Sequence, residues 1–176
     1  MLLTGTYPRV LDEKQRLALP RPIRDALGNS LTALYAAPGT DGTVSLYTEE
    51  VFRQLAQHFE SLPPTAEEIR SFSRLFYAQA HRLELDRQGR VRIPAELARL
   101  AGLDRELVLL GVRDHLELWN KVRWEEYLAE QQSRYDQIAE RAFSYRPGEV
   151  PASAPGAAQS AAPESSQVRR TARKPR

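Results

Sequence analysis

The stretch Leu11-Asp12-Glu13-Lys14-Gln15-Arg16-Leu17-Ala18-Leu19-Pro20 returns as Leu85-Asp86-Arg87-Gln88-Gly89-Arg90-Val91-Arg92-Ile93-Pro94, 74 residues later. Leu, Asp, Arg and Pro match as identities, and Leu17/Val91 and Leu19/Ile93 as apolar equivalents. A short helical pattern follows each copy and ends at Gly28 and at Gly102. An internal repeat sets the architecture before any single element is read. It also places one arginine at the same point of each half, so the folded chain should present two equivalent positive points.

The correspondence continues downstream. Leu31-Thr32-Ala33-Leu34-Tyr35 answers Leu107-Val108-Leu109-Leu110, and Val44-Ser45-Leu46-Tyr47 answers Leu116-Glu117-Leu118-Trp119 at an offset of 72. Phe52 then answers Trp124. Each half reads as hairpin, short helix, two strands and a longer helix. A unit of about 60 residues buries little surface alone, so two units related by a pseudo-twofold are expected to share one core. The fold class is therefore α+β. The divisions are a first unit over 1–62, a connector helix over 63–80, a second unit with its C-terminal helix over 81–145, and a tail over 146–176.

The 176-residue chain is 41% hydrophobic, enough for a core, and has no cysteine. That removes a disulfide framework and any thiolate metal site. No run approaches the ~20 apolar residues of a membrane span, and Met1-Leu2-Leu3-Thr4-Gly5 lacks the basic start and apolar run of a signal peptide. A cytoplasmic protein is expected. The net charge of +2 is unevenly spread. Residues from Pro147 onward carry five Lys/Arg against two Glu, so the remainder is near neutral. Global charge does not argue for nucleic acid; only local clusters can.

Local signals place the elements. Asp12 to Gln15 reads as a turn between strands over Tyr7–Leu11 and Arg16–Leu19. Pro20 and Gly28, like Pro94 and Gly102, bracket short helices. Pro38-Gly39-Thr40-Asp41-Gly42 turns between two strands. Thr48 is placed to cap a helix with Phe52, Leu55, Phe59 and Leu62 on one face, ended by Pro63-Pro64. Thr65-Ala66-Glu67-Glu68 reads as a capping box for the connector, with Ile69, Phe72, Phe76 and Ala80 as its buried stripe. Asn120 should cap a last helix. Its stripe Trp124, Leu128, Gln131, Tyr135, Ile138 and Ala142 is near-heptad, and packing on its own domain is the preferred reading over a contact with another subunit. Beyond Tyr145 the chain is rich in Pro, Ala, Ser and Gly and is expected to be disordered. Its basic end, Arg169 to Arg176, either holds DNA loosely through phosphates or is solvated with no specific partner.

An Asp at the head of a tight turn ordinarily accepts backbone amides two or three residues on, and Gly89 supplies the positive φ that such turns favour. One copy alone would be read as structure. The second copy changes the weighing because of what the turns carry: Lys14 and Arg16 at the first, Arg87, Arg90 and Arg92 at the second. Alternation puts Arg90 and Arg92 opposite the core residues Val91 and Ile93. A two-stranded ribbon fits the major groove of DNA, and arginine reads guanine through two parallel donors. Asp12, Asp86 and Gly89 would then shape the turns and orient the arginines, since phosphates repel carboxylates.

These residues resemble the MraZ family of bacterial transcriptional regulators of the division and cell-wall gene cluster, built from two AbrB-type units. The resemblance runs from about Leu2 to Tyr145. It rests on both Asp-x-x-x-Arg-(apolar)-x-(apolar)-Pro segments, on Asp41-Gly42 before Leu46-Tyr47, and on Leu118-Trp119 followed by Trp124-Glu125-Glu126-Tyr127. It implies a swapped-hairpin β fold, ring-like homo-oligomers, and repression of the chain's own operon through short direct repeats in promoter DNA. It also implies that Arg16 and Arg90 contact DNA, with Lys14 beside the first. Gln15 stands where the family usually has Gly, so the first turn is expected to be tighter or differently angled.

Other chemistry finds little support. His58, His81 and His115 are far apart, with no ligand spacing for a metal. No Gly-rich phosphate loop or Gly-x-Ser-x-Gly elbow occurs. The pair Asp12 and Asp86 comes with arginines that would lower its pKa and suit it poorly to proton transfer. No catalytic residue and no cofactor are expected. The alternative to a DNA-binding regulator is a protein-interaction module on the same scaffold, antitoxin-like. The two DNA-binding units, and a tail without apolar anchors, favour the regulator.

Overall fold

The computed structural model describes residues 1–28, 30–63 and 65–145. The tail expected to be disordered lies outside the described residues. A compact body runs from Met1 to Arg134, and a second unit begins at Tyr135.

The first half contributes β1 (Thr6–Val10), β2 (Arg16–Ala18), α1 (Arg21–Leu27), β3 (Ala33–Pro38), β4 (Val44–Tyr47) and α2 (Glu49–Glu60). The connector α3 spans Glu67–Ala78. The second half repeats the order with β5 (His81–Glu84), β6 (Arg90–Arg92), α4 (Ala95–Leu100), β7 (Glu106–Val112), β8 (His115–Asn120) and α5 (Lys121–Gln132). The second unit holds α6 (Tyr135–Ser144). The architecture is α+β, with every strand pairing antiparallel.

The strands on either side of each Asp turn do not form a hairpin. β1 pairs with β7 and β5 with β3, so the first strand of each half lies in the ladder of the other. β2 and β6 leave that sheet and pair only with each other. The large sheet runs β1-β7-β8-β4-β3-β5, an order unchanged when the two halves are exchanged. Both central pairings sit on the pseudo-twofold: Leu17 faces its own counterpart Val91, and Ser45 faces its counterpart Glu117. Each turn closes by local hydrogen bonds and its strands then splay, because pairing across the axis buries both apolar faces in one core.

That core draws on both halves. Leu17, Ile23, Leu34, Val44 and Leu46 pack with Val91, Ile93, Leu97, Leu107, Leu109, Leu116 and Leu118, all 0–1% exposed. Trp119 packs with Val108 and Leu110 in a smaller cluster that Trp124 covers.

The end signals hold in part. Thr48 Oγ1 accepts from the Val51 amide, and Asn120 Oδ1 from the amides of Val122 and Arg123, so both caps form. Pro20 and Pro94 fall one position before the first helical residue. Thr65 does not cap α3: the helix starts after Ala66 with no side-chain cap. Of the expected α3 stripe only Phe76 is buried. Phe72 stays 43% exposed although its ring stacks on Phe59 of α2 at 4.9 Å and on Phe76 at 5.3 Å. The last helix is not continuous. It breaks at Ser133-Arg134, and no residue of α5 or α6 is fully buried. Of the expected stripe, Trp124 packs on the body, its ring edge-on to Trp119, and Tyr127, outside the stripe, adds a tilted contact to the same ring.

Candidate nucleic-acid interface

Each Asp turn is a three-residue loop with a left-handed last residue, the bulged form of a hairpin turn. In the first, the Gln15 amide donates to the Asp12 carbonyl at 2.9 Å, and the Asp12 amide to the Arg16 carbonyl at 3.1 Å. In the second, the Gly89 amide donates to Asp86 and the Asp86 amide to Arg90, both at 2.9 Å. Asp12 Oδ1 accepts the amides of Lys14 and Arg16, and Asp86 Oδ1 those of Gln88 and Arg90. Each second oxygen holds the Nε of its arginine at 2.7 Å. The expected distortion at Gln15 is absent: its φ of 59° stands beside 72° at Gly89, and the bonds are the same. The turn's hydrogen bonds outweigh the cost of the left-handed region for a residue with a Cβ.

Burial pushes the Asp12 carboxyl up, but the Arg16 amide, the Arg16 guanidinium and the Lys14 amide outweigh it and hold it below its ordinary value. At Asp86 the Arg90 amide is the largest cause, burial opposes it, and the guanidinium and the Gln88 amide complete the lowering. Both carboxylates are therefore charged at neutral pH and fix the arginines in place. Arg90 also lies 4.0 Å from Asp12 Oδ2, which ties the two turns together.

Between the turns lies the β2–β6 ribbon. Leu17 and Val91 point into the core, while Arg16, Arg90 and Arg92 take the outer face. Arg16 stands directly opposite Arg92, and Arg90 opposite Ala18. Like charges placed opposite across a ladder destabilise it. Lys14 and Arg87 are exposed at the two corners. Lys14, Arg87 and Arg92 make no ion pair among the described residues, unlike Arg16 and Arg90. The structure thus brings all five cations named from the sequence to one ribbon and its two turns.

Two features escaped sequence reasoning. Arg24 of α1 lies over Gly89, where an added Cβ would come within 2.7 Å of its Cδ. Only the β2–β6 pairing, through the Leu19 amide on the Gly89 carbonyl at 3.0 Å, brings them together. The second is a cluster at the start of β8. His115 Nδ1 lies 2.7 Å from Asp114 and Nε2 3.5 Å from Glu117, its ring stacks on Tyr47 at 5.3 Å, and Trp119 Nε1 donates to Glu117. Hydrogen bonding to Glu117, opposed by burial and aided by Asp114, raises the His115 pKa.

The sequence has counterparts among known proteins. A family model described as "MraZ protein, putative antitoxin-like" matches residues 76–146. The "Transcriptional regulator MraZ" of Syntrophomonas wolfei is 36% identical over 139 residues, covering 79% of this chain and 95% of that protein. The chain belongs to the MraZ family. The MraZ regulator of Moorella thermoacetica is 35% identical over 144 residues, 82% of this chain and 99% of its own length. That of a Nocardioides strain is 38% identical over 141 residues, 80% of this chain and 96% of its own. The matched lengths show that an MraZ chain of ordinary extent accounts for most of the 176 residues.

Proposed function

We propose that this chain is a transcriptional regulator that binds double-stranded promoter DNA with the β2–β6 ribbon and the two Asp turns. The observation that carries the reading is the outer face of the ribbon. Three arginines sit on three residues a side, two of them directly opposed. Such an arrangement costs stability in the free protein and is relieved by an anionic partner. A two-stranded ribbon is a known shape for the major groove, and arginine is its commonest base reader. The names of the similar proteins agree with this use.

The finer reading is repression of the chain's own operon. A few phosphate contacts per protomer give weak, salt-sensitive binding. Neighbouring protomers of a homo-oligomeric ring on successive repeats gain effective concentration, and the repeat spacing becomes part of the specificity. Exposed apolar side chains support self-association: Phe72 and Leu75 on α3, and Val122 and Leu128 on α5. Binding across a promoter occludes polymerase.

The test is a mobility shift on the DNA upstream of the chain's own coding region, against unrelated competitor. Arg16→Ala/Arg90→Ala should lose specific binding while the oligomer persists. Arg92→Ala should weaken binding without touching either turn, because Arg92 holds no ion pair among the described residues. Specific binding retained by both variants sinks the proposal and leaves a protein-interaction module as the better account.

A further inference from the structure

The two Asp turns are alike in backbone and unlike in surroundings. Beside the first, a hollow is lined by three cations, Lys14, Arg16 and Arg105, and three carboxylates, Asp12, Glu13 and Asp104. Beside the second, a hollow of roughly 340 Å³ is lined by Arg21, Arg24 and Arg87 against only Asp25 and Asp86. Asp86 is already held by Arg90 at 2.7 Å from outside that hollow, and Asp25 faces Arg21 at 3.6 Å. Arg24 and Arg87 hold no ion pair among the described residues. In the first hollow Glu13 and Asp104 remain to balance Lys14 and Arg105, whereas in the second no carboxylate remains to balance Arg24 and Arg87.

The repeat itself shows that this difference is built. The residue of α4 at the position of Arg24 is Ala98, which is 7% exposed. The residue of the first turn at the position of Gly89 is Gln15. So the turn beside an arginine has glycine, and the turn beside an alanine has a side chain. Where Arg24 lies, a Cβ on residue 89 would stand 2.7 Å from Cδ and 2.9 Å from Nη1. A side chain there displaces the guanidinium, and glycine leaves it seated on the turn next to Arg87.

We infer that Arg24 and Arg87 form a phosphodiester-binding position at the second turn, which the first turn lacks. The inference rests on the DNA-binding reading above and deepens it. Guanidinium groups match phosphate oxygens through paired donors. Contacts of this kind fix register on the duplex and carry no base information. The second turn then anchors the backbone, and the two turns of one protomer make unequal contributions to affinity.

The experiment measures affinity for a duplex of the upstream DNA across a salt series, for wild type, Arg24→Gln, Arg24→Lys and Arg99→Gln. Each lost phosphate contact should flatten the plot of log affinity against log salt by about 0.9, or about 3.5-fold less weakening for a fourfold rise in salt. Arg24→Gln should show this flattening for each engaged protomer, with its preference among altered duplexes unchanged. Arg24→Lys should keep most of the slope. Arg99→Gln, the same charge deletion on α4, should leave it unchanged. Melting and oligomeric state should not move in Arg24→Gln, since no ion pair is broken. A wild-type slope in Arg24→Gln, or equal flattening in Arg99→Gln, overturns the assignment while the DNA reading stands. A wild type that prefers the upstream duplex no more than competitor overturns both.

Discussion

Gln15 and Gly89 show how one backbone is reached at two costs. Both sit in the left-handed region, at φ of 59° and 72°, where a side chain costs roughly 1–2 kcal/mol and glycine almost nothing. Glycine in turn loses about 0.5–1 kcal/mol through the freedom of its unfolded chain. Gln15 is exposed, so Gln15→Gly should raise stability by up to about 1 kcal/mol. Chemical denaturation is the measurement, and a destabilised variant would show that the Gln15 side chain contributes more than its backbone costs. The arginines are also unequal at this scale. Arg16 and Arg90 are fixed by aspartates, while Arg92, Arg87 and Lys14 are left for solvent or a partner. Sequence reasoning named all five, and the resemblance singled out Arg16 and Arg90, but how tightly each is held depends on side-chain geometry that only the fold supplies.

Among the elements, the ribbon is the part whose composition only makes sense in place. Three residues a side would be a marginal pair alone; here Leu17 and Val91 are fully buried beneath it. The edge of β8 carries a separate device. His115 bridges Asp114 and Glu117, and Tyr47 of β4 lies on its ring. Its folded pKa is raised above the ordinary 6.5 and that of Glu117 is lowered. A raised histidine pKa contributes stability that is fully present below its unfolded pKa and is lost as pH rises through the folded one. The melting temperature of wild type should therefore exceed that of His115→Gln most below the ordinary histidine value, with the gap shrinking as pH rises past it through the raised folded value. A gap independent of pH would mean that ring stacking, not charge, carries the contribution. Nothing in the sequence marked this cluster: a histidine between two acids three residues apart is unremarkable until a strand aligns 115 and 117 on one face.

For the body from Met1 to Arg134, the exchange of first strands between halves means neither half keeps a complete sheet when the other opens. β1 lies on β7 and β5 on β3. Leu17, at the centre of the axis and 0% exposed, touches the fate of both. Leu17→Ala should cost about 2–5 kcal/mol and lower one unfolding transition rather than split it. Two separated transitions in calorimetry would show that the halves fold as independent units. The same exchange explains why the two Asp turns belong to one ribbon, with Arg90 within 4.0 Å of Asp12, rather than to two separate hairpins.

The repeat, its alternation of apolar residues and its Asp and Arg spacing determined the strands, both turns, the caps at Thr48 and Asn120, and the face on which the arginines stand. These follow from local rules: period-two burial, side-chain bonds to nearby amides, and left-handed turn geometry. Which strand pairs with which was decided only by the tertiary structure. A closed hairpin and an exchanged pair satisfy the same local bonds at Asp12 and Asp86, and only the shared core of Leu17, Val91, Ile93 and Leu107 chooses between them. The same choice put Arg24 on Gly89, and which apolar side chains stay uncovered, Phe72 and Leu75 among them, was likewise visible only in the fold. Each of these depends on contacts between residues far apart in the chain, and the free energy of such contacts is not written in any one segment.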